Sequence, residues 1–116
     1  MYIYNKEVIN SLELKARLEE LSDLEQMEDY EYDEHAMLTE IIDNGSYSNS
    51  NWNSGVDLIK QDDFTDYIKT KYIELGLISD EILNLVWIDW GLTAEKAANN
   101  YTEINVNGST YMLEVN

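Results

Sequence analysis

Residues 101–115 read YTEINVNGSTYMLEV, and this stretch carries the strongest structural signal in the chain. Two β-rich segments flank Asn107-Gly108, the pair of residues that most favours a two-residue hairpin turn. Pairing across the turn sets Ile104 opposite Tyr111, which gives the hairpin one apolar face and one polar face. Because an isolated hairpin is only marginally stable, we predict that a helix ending near Ala98 covers the apolar face while the polar face meets water.

Upstream of the hairpin, apolar residues recur at three- and four-residue spacings, which predicts about four helices. The first spans residues 5–21 with Asn5 as its N-cap, and the second spans residues 33–43 and ends at Asn44-Gly45. Residues 25–33 fit either a loop or a frayed helix. Further helices are expected over residues 62–75, 81–85 and 89–98, with Asp62 or Asp63, Ser79 and Asp89 as N-caps and Gly76 as a stop.

These elements place the chain in the α+β class, with about four helices and a C-terminal antiparallel β-hairpin. A length of 116 residues suits one domain with a modest core. We divide this single acidic domain, residues 1–116, into an acidic helical part (residues 1–45), a Ser/Asn-rich loop (residues 46–54) and a part with helices and the hairpin (residues 55–116). Trp52 is expected to anchor the loop against the body of the protein.

Charge is the most unusual property of the composition. The chain has 24 Asp and Glu residues against 7 Lys and Arg residues, which gives a formal net charge of −17. Residues 19–43 hold 11 of these acids and no base. Such a field repels nucleic acids and anionic membranes, so we expect neither as a direct partner. The partners that it favours are proteins with basic surfaces, chiefly those that bind nucleic acids.

No motif in the chain predicts catalysis, a cofactor or a metal. The chain has no cysteine and one histidine, His35, which lacks the neighbours of a metal or triad motif. No glycine pattern predicts a phosphate-binding loop, and no segment matches an EF-hand. We therefore predict a protein that is not an enzyme and has no catalytic, cofactor-binding or metal-binding residues. The sequence also lacks a signal-peptide pattern and a long apolar span, which predicts a cytoplasmic location.

The acidic run, residues 19–43, is either a solvated surface or a binding surface, although its end, from about Ala36, is expected in the folded core. Like charges three and four residues apart on a helix cost roughly 0.2–0.5 kcal/mol each, and solubility does not need that arrangement. Residues four apart rise about 6 Å along a helix, so carboxylates on successive turns approximate the phosphates of a DNA strand, which follow at about 3.4 Å. We therefore predict a partner-binding surface formed by Glu19, Glu20, Asp23, Glu25, Glu28, Asp29, Glu31, Asp33 and Glu34, with Tyr30 and Tyr32 as anchors and Asp62, Asp63 and Asp66 as an extension.

The second half of the chain contains a series of short motifs. Trp52, Gly55 and Leu58-Ile59 precede Asp62-Asp63-Phe64 and Tyr67, and the segment from Trp87 reads WIDWGLTAEKAANNYTEINVNGSTYMLEV. In that segment the motifs are Ile88-Asp89-Trp90, Thr93-Ala94, Asn100-Tyr101-Thr102-Glu103-Ile104 and Gly108-x-Thr110-Tyr111. On these motifs, residues 52–115 resemble ArdA-type antirestriction proteins and related small acidic phage proteins. The resemblance implies an anti-defence role for a mobile element through DNA mimicry, and it supplies no catalytic residues.

We therefore expect an anti-defence inhibitor of a phage or mobile element, which mimics DNA and occupies the DNA-binding cleft of a host nuclease. Restriction enzymes and CRISPR effectors are both compatible targets, and a homodimer is compatible with the sequence. Two alternatives stay open. The first is a protein-interaction module that binds its target through an apolar or hairpin surface. The second is a regulator that sequesters a basic nucleic-acid-binding protein.

Overall fold

The computed structural model of the protein describes residues 3–116. Within this range, five α-helices accompany a four-stranded antiparallel sheet, which confirms the α+β class. The helices are α1 Ser11–Ser22, α2 Asp29–Ser48, α3 Phe64–Glu74, α4 Asp80–Leu85 and α5 Trp90–Ala97. The strands are β1 Val8–Asn10, β2 Asp57–Lys60, β3 Tyr101–Val106 and β4 Ser109–Glu114. The molecule is elongated, with principal extents of 61 × 24 × 20 Å.

The predicted C-terminal hairpin is confirmed, and it forms one side of the sheet. β3 pairs with β4 in the predicted register, with Ile104 opposite Tyr111. The turn residues Asn107 and Gly108 both have positive φ angles, 51° and 89°, as a type I′ turn requires. The strand order is β1-β2-β4-β3, so β4 lies inside the sheet and β3 lies at its edge.

The N-terminal strand β1 occupies part of the helix predicted over residues 5–21, so the start of that helix and its Asn5 cap are wrong. The β-branched residue Ile9 is fully buried in the sheet, where its side chain gains more than it would on a partly exposed helix. α1 begins only after Asn10, whose side chain accepts a hydrogen bond of 2.9 Å from the amide of Leu12. Asn10 therefore provides the N-cap that was predicted at Asn5.

Helices cover both faces of the sheet. One face carries Ile104 and Tyr111, which pack with apolar residues of α1 and α2, among them Leu38. The other face carries Met112, which packs with residues of α3 and α5. The helix that ends at Ala97 therefore covers the hairpin, but on the face opposite to Ile104 and Tyr111. The prediction that this second face meets water is wrong for Met112, which is buried because α3 and α5 supply apolar side chains around it.

Helix α2 runs through Asn44-Gly45, so the helix stop predicted there is wrong. Gly45 is buried and faces the ring of Trp52, and a Cβ added to Gly45 would lie 2.2 Å from a ring carbon. Glycine is needed here for the close approach of two elements, and not for a left-handed cap. The loop predicted over residues 46–54 is shorter than expected, because α2 ends only at Ser48. Trp52 itself is buried, which confirms its role as the anchor.

The later helices begin and end at the predicted caps. The side chain of Ser79 accepts a hydrogen bond at the start of α4, and that of Asp89 does so at the start of α5. Gly76 follows α3 with a φ of 72°, as a glycine after a helix C-terminus commonly does. Asp63 precedes α3, but its side chain makes no capping hydrogen bond to any described residue.

Candidate functional site

The acidic run is divided between two helices and their connection. α1 ends before residues 23–28, which form a nonhelical connection, and α2 starts at Asp29. Residues 25–33 are therefore partly loop and partly helix. The amide of Glu28 donates a hydrogen bond of 2.9 Å to the carboxylate of Glu31, as in a capping box, so Glu31 helps to start α2.

Most of the predicted partner-binding side chains are exposed, whereas Glu31 is half-buried. Tyr30 and Tyr32 are 69% and 58% exposed, so neither ring belongs to the core. The exposed acids are Glu19, Glu20, Asp23, Glu25, Glu28, Asp29 and Asp33. The end of α1, the connection and the start of α2 thus expose carboxylates and aromatic rings together at the surface.

Glu34 differs from the other predicted residues because it is bound within the protein. Arg17 donates hydrogen bonds from Nε and Nη2 to the two carboxylate oxygens of Glu34, at 2.8 and 2.9 Å, and the hydroxyl of Tyr4 also donates to Glu34. This two-point ion pair holds the pKa of Glu34 below its ordinary value of 4.5. Burial, together with the Glu34 carboxylate, raises the pKa of Tyr4. Glu34 therefore ties α1 and α2 to the N-terminal segment and is not free to bind a partner.

We expect the Glu34→Gln variant to lower the free energy of unfolding by about 1–3 kcal/mol at neutral pH, because it removes the charge-assisted pair with Arg17. The pKa of Glu34 is lower in the folded protein than in the unfolded chain. The contribution of the pair is therefore fully present above pH 4.5 and is lost as the pH falls through the folded-state pKa. Urea unfolding at neutral pH and at about pH 3 should show a smaller loss of stability with acid in the variant than in the native protein.

Glu20→Gln is the matched control for this experiment. Glu20 contacts the same Arg17 at 3.1 Å, but its side chain is 68% exposed. Its replacement should change the free energy of unfolding by less than about 1 kcal/mol. The same acid dependence in both variants would contradict the structural role that we assign to Glu34.

Asp62, Asp63 and Asp66 lie in a different layer of the molecule. They precede or begin α3, which packs on the face of the sheet that carries Ile59 and Met112. α1 and α2 cover the opposite face. These three acids therefore belong to a separate part of the surface and do not extend the one that α1 and α2 form.

Helix α2 adds two exposed acids, Glu40 and Asp43, from the segment predicted to belong to the core. With Asp29 and Asp33 they recur at spacings of four, seven and three residues, so the four carboxylates lie along one side of α2. This acidic stripe, Asp29, Asp33, Glu40 and Asp43, is about 21 Å long at a rise of about 1.5 Å per residue. One strand of DNA presents about six phosphates over that length. Tyr47 continues the same line and is 93% exposed.

A second surface is apolar and lies between the end of α3 and the start of α5. Trp87 and Leu85 are 97% and 82% exposed. No residue of α4 is buried, although every residue of this helix belongs to the described part of the chain. Exposed apolar side chains concentrated in one segment are typical of interaction surfaces. This apolar patch consists of Leu75, Leu77, Ile82, Leu85, Val86, Trp87 and Leu92.

The described residues hold neither a cluster of metal ligands nor a membrane-spanning helix. Within residues 3–116, no three His, Asp or Glu side chains are grouped so that they could bind a metal ion. None of the helices in that range combines the length and the apolar character needed to cross a bilayer. Comparisons of the chain with known protein families, with curated proteins and with solved structures find no match.

Proposed function

We propose that the protein is an anti-defence inhibitor of a phage or mobile element, which binds the basic DNA-binding cleft of a host nuclease as an acidic mimic of DNA. The observation that carries this proposal is the acidic stripe of α2, a line of exposed carboxylates on a helix that contains no Lys or Arg. The exposed acids at the end of α1 and in the α1–α2 connection add to the same negative field. The motif resemblance of residues 52–115 to ArdA-type proteins favours the same function.

The shape of the molecule also supports this proposal. A compact chain of this length has a radius of gyration of roughly 13 Å, whereas the value here is 16.8 Å. An elongated body spreads its carboxylates over a longer line than a sphere would. A cleft that normally neutralises successive phosphates with Lys and Arg could therefore form several ion pairs with it at once.

Aromatic side chains supply the second requirement of a tight inhibitor. Charge complementarity mainly raises the association rate and the selectivity of binding, whereas buried aromatic anchors carry much of the binding free energy. Tyr30, Tyr32 and Tyr47 are exposed on α2, next to or in line with the acidic stripe. We assign them the role of anchors that lose their exposure when the nuclease binds.

The experiment that tests this function is competition with DNA. A purified type I restriction enzyme and a purified arginine-rich CRISPR effector are each mixed with the protein, and binding is measured with and without duplex DNA. We expect stoichiometric binding to at least one of them, displaced by DNA. The dissociation constant should increase at least about tenfold between low and high salt, because the pairing charges are screened. Binding that is neither displaced by DNA nor weakened by salt would overturn the proposal.

The apolar patch favours a second candidate function, a protein-interaction module with an incidental acidic surface. A contact through Trp87 and Leu85 would be nearly independent of salt and would be lost in a Trp87→Ser variant. The salt series above thus separates the two functions. A regulator that sequesters a basic nucleic-acid-binding protein would show the same salt dependence as a nuclease inhibitor. A pull-down from host lysate distinguishes these two by the identity of the retained protein.

A further inference from the structure

Strand β3 forms an open edge of the sheet. The amide of Val115 donates a hydrogen bond of 2.8 Å to the carbonyl oxygen of Asn100, which marks a hydrogen-bonded pair of the hairpin. Such pairs alternate along an antiparallel ladder. The backbone groups of Thr102, Ile104 and Val106 therefore point to β4, and those of Tyr101, Glu103 and Asn105 point away from the sheet. The outward amide of Tyr101 donates to the carbonyl oxygen of Ala98. Among residues 3–116, the outward backbone groups of Glu103 and Asn105 have no hydrogen-bond partner.

A groove of about 530 Å³ runs beside this edge, between β3 and α2. Its wall on α2 includes Met37, Ile41 and Tyr47, and its wall on β3 includes Thr102 and Ile104. A strand added to β3 would place every second side chain in this groove. The free ladder groups and the groove therefore suit one kind of occupant, an extended peptide segment.

The negative charge at the groove favours basic segments over other extended segments. Glu40 lines the groove on the α2 side. Glu103 lines its β3 edge and shares the face of the hairpin that carries Met112, and no Lys or Arg lines the groove. A basic residue directly opposite Glu103 would form a favourable cross-strand pair. A second copy of this chain would instead bring two molecules of charge −17 together and, in the symmetric register, would set Glu103 against itself.

We propose that β3 binds an extended, basic segment of a partner protein as a fifth strand of the sheet. Apolar side chains of that segment enter the groove beside Met37 and Ile41, and Lys or Arg side chains alternate with them on the side of Glu103. This site shares Glu40 with the acidic stripe, but its backbone hydrogen bonds lie on β3 and it does not depend on the inhibitor function proposed above.

The probe is the peptide acetyl-Lys-Val-Lys-Val-Lys-Val-amide. In the bound register one lysine lies directly opposite Glu103, and all three lysine side chains lie on the same face of the sheet as Glu103. The backbone N–H groups of the lysines donate to outward carbonyl oxygens of β3. We expect the peptide to slow hydrogen exchange of the Glu103 and Asn105 amides at least about tenfold, because it converts free edge amides into ladder hydrogen bonds. A peptide that leaves both exchange rates unchanged overturns the proposal.

Two N-methylated peptides separate strand addition from general attraction to an acidic protein. Methylation of the three lysine nitrogens removes the donors that face β3 and should weaken binding at least about tenfold. Methylation of the three valine nitrogens keeps those donors at the same charge and should leave binding within about threefold. Equal affinity of the two peptides overturns the proposal.

A protein variant provides an independent arm of the test. Glu103→Pro removes an outward amide that β4 does not use, a position where an edge strand tolerates proline. It should abolish the protection of the Asn105 amide by the peptide, whereas Glu103→Gln, which keeps the backbone donor, should retain it. Circular dichroism checks that both variants keep the fold, and protection that persists in Glu103→Pro overturns the proposal.

Discussion

Replacing Gly45 with alanine is expected to destabilise the protein by about 1–3 kcal/mol. An added Cβ would lie 2.2 Å from a carbon of the Trp52 ring, and two other ring carbons would lie within 2.6 Å. The ring is buried and rigid, so α2 and the segment of Trp52 would have to move apart. This cost exceeds the roughly 1 kcal/mol that alanine normally gains over glycine inside a helix. Thermal and urea unfolding measure the change.

Two further variants make this expectation specific. Gly91→Ala places a Cβ no closer than 3.4 Å to another atom, so it should leave the stability unchanged or raise it slightly. In a Trp52→Leu background the ring is absent, and Gly45→Ala should then cost little or nothing. A double-mutant cycle yields this coupling energy. A Gly45→Ala variant as stable as Gly91→Ala would contradict the close packing of α2 on Trp52.

Reversing three charges of the acidic stripe is expected to weaken binding to a target nuclease at least about 100-fold. The variant is Asp33→Lys, Glu40→Lys and Asp43→Lys. These positions avoid Glu28 and Glu31, which form the cap of α2, so the helix should persist. Each lysine would face a basic cleft, and like charges across an interface cost several kcal/mol, while about 1.4 kcal/mol corresponds to a tenfold change in affinity. Titration calorimetry at low salt measures the loss.

The control for this triple variant has the same net charge. Glu74→Lys, Glu81→Lys and Glu95→Lys change three exposed acids outside the stripe, on α3, α4 and α5. If position matters, this control should bind within about tenfold of the native protein. Equal losses in both variants would mean that the overall charge, and not the line of carboxylates on α2, governs binding.

The features that the sequence predicted correctly are those determined by neighbouring residues. Asn107-Gly108 adopts its turn through its own φ angles, and Ser79, Asp89 and Gly76 act within one helical turn of themselves. The hairpin register follows from the turn alone. Local chemistry was therefore sufficient for the C-terminal half of the fold.

The features that were missed depend on contacts between distant residues. Ile9 pairs with Leu58, and the apolar spacing of residues 8–18 fits a helix until that partner is known. Gly45 reads as a helix stop unless the position of the Trp52 ring is known. Both errors concern the docking of the N-terminal half, which no short-range pattern records.

In the candidate site too, features that depend on neighbouring residues were predicted and features that depend on distant contacts were missed. The position of the acidic run was evident from composition, but the ion pair that holds Glu34 depends on Arg17, which is 17 residues away. Glu40 could have been identified from its seven-residue spacing to Asp33, and Asp43 from its three-residue spacing to Glu40, since both spacings return to the same side of a helix. No pattern in the sequence indicated that the apolar patch is exposed, because its residues recur at the spacing expected of helix residues that are buried in a core.

The position of β4 within the sheet also determines the order in which the chain can fold. β4 comprises residues 109–114 and is a neighbour of both β2 and β3. On the ribosome, β1 and β2 emerge long before β4, the strand that lies beside β2. Until β4 is available, the N-terminal helices leave apolar side chains uncovered. The negative charge of the chain makes its copies repel one another, which opposes aggregation at this stage. The addition of β4 pairs Leu58 with Leu113, two residues far apart in the sequence, as in slow-folding proteins of high contact order.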